Sequence, residues 1–387
     1  MLGRSGGVTD PCGHTQTVTY NTLNELASWT DALGHTTSYS YDDEGRLQGV
    51  TDPKGQTTSY TYNPFYGLAS VSFGATGGGS PTSSIAYSYD TEGNLTSAVD
   101  SRGGTYTMSY GAYHRLTGES GLNGSVGYSY DLDGQRTGMS VDGEAAAGYA
   151  YNEDGQLTGI ETPHGDVSFA YDPDGRTAKT TLPDGDTESY AYDGDSQLTA
   201  TDYEKPGGAQ IGDLQYGRDA LGRLTTLSGS LARTDLPEAL GEASYNAANE
   251  LTGLEGHTLT YDADGNLTSI PTSSYTYNDR NQLTGITQGS NTWSFAYDPF
   301  GRRSSKTLDG TETSYLYDSE NPVSETTGDS TAQISEFGKE RLGDETISTV
   351  HRVNLEGEVI HQHQTHIGKY GGERQFPNEW IQFPDAG

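Results

Sequence analysis

The feature that most limits how this chain can fold is a tyrosine that returns at a nearly fixed interval. It stands at Tyr20, Tyr41, Tyr62, Tyr89, Tyr110, Tyr130, Tyr151, Tyr171, Tyr192, Tyr216, Tyr245, Tyr261, Tyr277, Tyr297 and Tyr317. Most steps are 20 or 21 residues; steps of 27, 24 and 29 imply insertions, and two of 16 imply shortened units. Self-similarity at a short fixed period marks a stacked array, in which no unit buries its apolar face without its neighbours.

Residues 39 to 62 show one unit. Tyr39-Ser40-Tyr41 alternates, placing two rings on one strand face. Asp42-Asp43-Glu44-Gly45 reads as a turn, with Gly supplying positive φ, and Arg46 to Val50 returns as a second strand. Thr51-Asp52-Pro53-Lys54-Gly55 is a second turn, and Thr57 to Tyr62 the next strand. About five residues after most of these tyrosines comes Gly, then a polar or basic residue, then often Leu, as in Gly45-Arg46-Leu47 and Gly265-Asn266-Leu267. Asn249 and Asn281 stand where that Gly would be, consistent with a positive-φ site. The pattern predicts an all-β array of antiparallel hairpins over residues 1–320, roughly 30 strands with tyrosine-on-tyrosine ladders, that must coil rather than stay flat. Residues 74–81 read as a flexible loop, and Leu231 to Leu240 as the one helical turn.

Hydrophobic residues make up 31 % of the chain, too few for a conventional dry core, yet 28 Tyr and 53 Gly argue against disorder. The net charge of −33 repels nucleic acid and anionic membranes. Cys12 is the only cysteine, so no intramolecular disulfide forms. No apolar run approaches the roughly 18 residues of a transmembrane helix, and the first residues lack a signal-peptide apolar stretch.

Tyr41-Asp42-Asp43-Glu44-Gly45-Arg46-Leu47, Tyr89-Asp90-Thr91-Glu92-Gly93-Asn94-Leu95, Tyr261-Asp262-Ala263-Asp264-Gly265-Asn266-Leu267 and Tyr297-Asp298-Pro299-Phe300-Gly301-Arg302-Arg303 resemble the YD repeats of RHS proteins and the teneurin-type YD shell. The turns Asp10-Pro11-Cys12-Gly13 and Asp52-Pro53-Lys54-Gly55 match as well, and the resemblance covers about four-fifths of the chain. It implies a spiralling, hollow β-sheet, secreted or at the cell surface, which in bacterial members encloses a variable C-terminal toxin used against competitors. The shell is then a scaffold and not an enzyme; its expected partners are its own C-terminal effector region and an immunity protein. The chain starts inside a repeat, near Val8-Thr9-Asp10-Pro11, and so reads as a fragment or a reduced gene. The family's Asp-Pro-x-Gly-Leu self-cleavage signature is missing, because Asp298-Pro299-Phe300-Gly301 is followed by Arg302.

After Tyr317 the period stops, and residues 321–387 form a His-rich tail. Arg352 to His361 reads as a hairpin around Glu356-Gly357 that sets Arg352 opposite His361. His361 and His363 then share a face, with His366 just beyond. Three readings stand open. His361, His363 and His366 are candidate metal ligands, with the metal unspecified. They are candidate catalytic residues of a small hydrolase or nuclease toxin, one His as general base and Arg352, Lys369 or Arg374 holding a phosphate. Or the hairpin is structural. Phe376, Trp380 and Ile381 read as a small apolar plug docking into the shell.

No cofactor is expected: there is no Gly-rich phosphate loop opening a helix and no Ser nucleophile elbow. Asp-x-Asp-Gly at Asp131, Asp172 and Asp262 invites calcium but departs from the EF-hand pattern. Rows of exposed tyrosine stacked on sugars would instead make the array an adhesion or carbohydrate-binding module with a cell-surface glycan as partner.

Overall fold

In the computed structural model each strand pairs antiparallel with its chain neighbours, giving runs of 21, 3 and 11 strands. The structure describes residues 5–65, 67–232, 241–328, 330–342, 345–353 and 359–366, with side chains as far as residue 328 and at 331. Among the described residues the only helical element is a 3-10 turn, Ala112–His114. Of the expected helical stretch, Leu231 sits in a turn and residues 233–240 lie outside the described residues. The expected loop at 74–81 is shorter than its composition suggests, because Leu68–Thr76 continues as strand through Gly74 and Ser83–Tyr89 follows.

Local chemistry explains the unit. Thr36–Tyr41 and Leu47–Thr51 pair with Tyr41 opposite Leu47 and Ser40 opposite Gly49, which leaves Gln48 as a bulge. In the turn between them the Asp42 amide donates to the Arg46 carbonyl and the Gly45 amide to the Asp42 carbonyl. Asp42 Oδ1 accepts from the Glu44 and Arg46 amides, at 3.1 and 2.9 Å. Gly45 completes the turn at φ 78°; Asn249 and Asn281 do so at 62° and 57°, as their place in the pattern requires. We call this side of the sheet the YD edge, and the side carrying turns such as 52–55 the return edge.

The tyrosines are held by more than ring contact. At the YD edge the phenol of the second tyrosine reaches the neighbouring strand and donates to the carbonyl of that strand's first residue. Tyr41 reaches Leu26, Tyr62 Leu47, Tyr89 Leu68, Tyr130 Leu116, Tyr151 Arg136, Tyr171 Leu157, Tyr192 Thr177, Tyr261 Leu251, Tyr297 Leu283 and Tyr317 Arg303, all at 2.7–3.0 Å. The basic residue after the turn Gly lies over the next repeat's ring: Arg46 over Tyr62 at 4.6 Å and Arg176 over Tyr192 at 4.8 Å. One tyrosine of the series is out of phase. Arg218, not Tyr216, pairs opposite Leu224 at the strand end, so Tyr216 takes the first-ring position and Arg218 the second. The two 16-residue steps are indeed shortened hairpins, with strands as brief as His257–Thr258 and Thr260–Tyr261.

The sheet winds. Residues near 54–136 touch residues near 262–318 at sequence separations between 177 and 227, most of them near 180. At about 20 residues per repeat, one turn of the spiral holds roughly nine repeats. We call residues 5–228 the first winding and the strands from Ala243 onward the second. Where they overlap, Leu316 and Val323 of the second bury against Val126 of the first, flanked by Tyr128, Met139 and Val141.

The phenol bonds yield a stability prediction. Tyr171→Phe keeps the ring and deletes only the 2.7 Å bond to Leu157, so it should cost about 1 kcal/mol, read from the urea midpoint by far-UV circular dichroism. An unchanged midpoint would mean that water replaces the bond at no cost.

Candidate functional site

The site that the fold builds is the seam where the YD edge of the second winding meets the return edge of the first. Lys54, at a return turn, lies 2.7 Å from Asp264 and 3.1 Å from Asp262, and donates to Asn281 Oδ1. Arg280, at a YD turn, forms a bidentate pair with Asp100 at 2.6 and 2.7 Å, and both side chains are buried. Beside it Arg102 pairs with Asp279, which also accepts from Thr82 and Ser83. Arg302 is buried between Asp298 of its own turn and Glu119 of the first winding, at 2.6 Å each. Phe300 meets Tyr106 edge-on, ring centroids 5.8 Å apart. Asn123 donates to the carbonyls of Ser304 and Tyr315 at 2.7 and 2.9 Å, and Asp318 accepts from Tyr128 and Arg136.

Backbone closeness makes glycine necessary at one point. A Cβ on Gly103 would stand 2.6 Å from the Tyr297 carbonyl oxygen and 3.1 Å from Asp298 Cα, so any larger residue pushes the windings apart.

Burial sets the electrostatics of this seam. Desolvation raises Asp100, but the Arg280 bonds and the Arg102 amide outweigh it and hold the carboxyl below its ordinary value. At Asp298 burial wins against Arg302, and the carboxyl is raised. Burial, followed by the neighbouring Asp298, pushes the Tyr106 phenol up to about 12; burial likewise carries Tyr317 up to about 12. Burial and then the Asp318 carboxylate raise Tyr128.

The His-rich tail continues the sheet: Asn321–Thr327 pairs with Ser330–Leu342, which pairs with Glu345–Val353, which pairs with Val359–His366. Arg352 stands opposite His361, the register read from sequence; Val350 stands opposite His363 and Ile347 opposite His366. All three histidines lie on the one strand Val359–His366. The hairpin loop with Glu356-Gly357 lies outside the described residues, as do Lys369, Arg374, Phe376, Trp380 and Ile381. Among the residues described with side chains, which exclude these three histidines, no group of three or more His, Cys, Asp or Glu could hold a metal ion. The Asp-x-Asp-Gly carboxylates are used by their own turns: Asp172 accepts from the Asp174 and Arg176 amides, and Asp131 from Gln135.

Sequence reading missed the seam residues. The available signal was departure from the repeat: Arg280 is the one basic residue at the tip of a YD turn whose neighbours carry acidic, small or apolar residues there.

The family model for the RHS Repeat matches residues 20–57, 41–68, 89–126 and 151–187, and that for the Teneurin YD-shell matches residues 177–328. This chain belongs to the RHS/YD-repeat family. Its fold is similar to that of two solved structures of this architecture, TcdB2-TccC3-Cdc42 and TcdB2-TccC3 without its hypervariable C-terminal region. The first has a TM-score of 0.59 at 14 % identity, over 94 % of this chain and 26 % of that one. The second has a TM-score of 0.55 at 14 % identity, over 95 % and 27 %. The chain thus spans about a quarter of the length of these relatives. No curated protein matches. Among the described residues no helix is long and apolar enough to cross a membrane.

Breaking the YD-repeat seam has a measurable cost and a pH signature. Arg280→Ala leaves Asp100 buried without its partner and should lose about 3–5 kcal/mol in urea unfolding at pH 7. The depressed Asp100 carboxyl stabilises the wild type above the ordinary 3.8 and ceases to do so as pH falls through its lower folded value. In the variant the unpaired carboxyl takes up a proton at higher pH, so the difference between the two proteins should shrink toward acid. A gap constant with pH would remove the charge-pair explanation.

Proposed function

We propose that this chain is a wall segment of an RHS/YD shell, secreted or at the cell surface, that encloses a C-terminal effector and presents it in competition between bacteria. The observation that carries this reading is the closure of one winding on the next through the Arg280–Asp100, Arg302–Glu119 and Phe300–Tyr106 contacts. A sheet that only displayed tyrosines to solvent would need no such seam. The phenols bonded to carbonyls also favour a wall over a sugar-stacking surface, since those rings are half-buried and committed. One similar structure is described as lacking a hypervariable C-terminal region, which supports a variable cargo at this end of a shell. In this reading residues 321–387 lead from wall to cargo, an immunity protein would answer the cargo, and the wall does no chemistry. A catalytic role for His361, His363 and His366 belongs to the cargo side of the proposal.

Limited proteolysis of the whole chain tests the arrangement. Peptides from residues 321–387 should be released at least roughly tenfold more slowly in the native protein than in urea, because enclosed backbone is cut only after opening. Release at the same rate in both conditions would reject enclosure. Expression of residues 321–387 alone in a susceptible cell separates wall from toxin: growth arrest abolished by His361→Ala would assign chemistry to the tail.

A further inference from the structure

The repeats pose a problem that the seam must solve. Every YD turn has nearly the same backbone, and every repeat advances the edge by one hairpin. Sliding the second winding along the first by one repeat would keep all ladders and all phenol bonds intact. Backbone geometry alone therefore leaves several registers of nearly equal energy, as in any strand pairing whose pattern repeats.

We propose that the unlike hairpin tips facing each other across the seam form a register code, selecting which repeat of the second winding docks on which repeat of the first. Three successive YD turns of the second winding end in different chemistry: Ala263-Asp264 is acidic, Asp279-Arg280 mixed and Pro299-Phe300 apolar. The return edge of the first winding answers each in order. Asp264 meets Lys54, Arg280 and Asp279 meet Asp100 and Arg102, and Phe300 meets Tyr106 above Gly103. A slip of one repeat in one direction brings Asp264 to Asp100, two carboxylates in a site where Asp100 is 0 % exposed. A slip in the other brings Arg280 to Lys54 and leaves Asp100 facing the apolar Phe300 turn. Each wrong register sets like charges together and leaves the buried Asp100 without its guanidinium partner.

The apolar tip belongs to the same code. Phe65 sits in Asn63-Pro64-Phe65, nearly the sequence of Asp298-Pro299-Phe300, yet Phe65 is 90 % exposed and Phe300 39 %. The turn alone leaves its aromatic tip open; docking against the opposite edge covers part of it. This inference rests on the seam and is independent of what the shell encloses.

Crosslinking reads register directly. In a Cys12→Ser background, Asn123→Cys with Ser304→Cys reports the observed register, since Asn123 bonds the Ser304 carbonyl. Thr284 holds the place of Ser304 one repeat earlier, so Asn123→Cys with Thr284→Cys reports the slipped one. A short bismaleimide and mass spectrometry quantify both links. With native charges the 123–304 link should dominate. Arg280→Asp or Asp100→Arg alone should lower it by roughly tenfold or more, and Arg280→Asp combined with Asp100→Arg should restore it. A 123–304 link undiminished in either single variant would overturn the proposal. So would a double variant, folded or not, that fails to recover the link, because a reversed pair should dock as the native one does.

Discussion

Ten of the repeats are fastened by a bond from a phenol to a main-chain carbonyl. The ladder frays at the YD edge, where a bulge and a tight turn interrupt regular pairing, and the first carbonyl of the return strand lies beyond the last paired residues. The tyrosine hydroxyl supplies the missing donor. The bond is insensitive to what happens at the other end of the hairpin: Tyr89 reaches Leu68 across 21 positions and Tyr261 reaches Leu251 across 10, both near 3 Å. Hairpins of different length can thus be inserted without changing how successive repeats are joined. A phenylalanine would fill the same space and leave the carbonyl waiting, which is why the period is one of tyrosine and not of aromatic residues in general.

This way of holding a sheet explains a composition that would ruin an ordinary globular domain. Among the described residues only a dozen hydrophobic side chains are buried, scattered from Val71 to Val323. Cohesion comes instead from the continuous ladder, from side chains that close their own turns, and from rings covered by arginine stems. Each contributes little, and the sum grows with every repeat. The cost appears at the seam, where polar hairpin tips must be desolvated together. There the chain uses charge pairs with complete partners, since a buried carboxylate is tolerable only when a guanidinium meets it in the right place.

The array was legible because its chemistry is local. The Asp-x-x-Gly turn, the alternate tyrosines and the Asn substitutes at Asn249 and Asn281 all act within a few residues, so their spacing reveals the strands. Tyr216 was misphased for the same reason: a tyrosine two positions early looks identical until its partner strand places Arg218 opposite Leu224. The phenol bonds and the cation stacking were not legible, because spacing cannot show what a ring's hydroxyl or face meets. The seam was out of reach. Asp100 and Arg280 are 180 residues apart and meet only because strand twist, accumulated over about nine repeats, returns the sheet to itself. No local pattern carries that angle.

The two edges of the sheet do different work for a physical reason. At the YD edge the carboxylate, the positive-φ residue and the phenol bond fix both the length of the turn and the point at which the return strand begins. From Tyr20 to Tyr297 the residue at the strand end stands opposite one six positions later, in shortened and lengthened repeats alike. The extra residues at 74–82 and 205–209 fall on the return edge, where only two strand ends need joining. A constant edge sets the pitch of the spiral; a variable edge can then carry the charges and glycines that the next winding must match. Had both edges been fixed, the windings would have met with nothing to choose between registers. With both free to vary, no regular pitch would have brought them together.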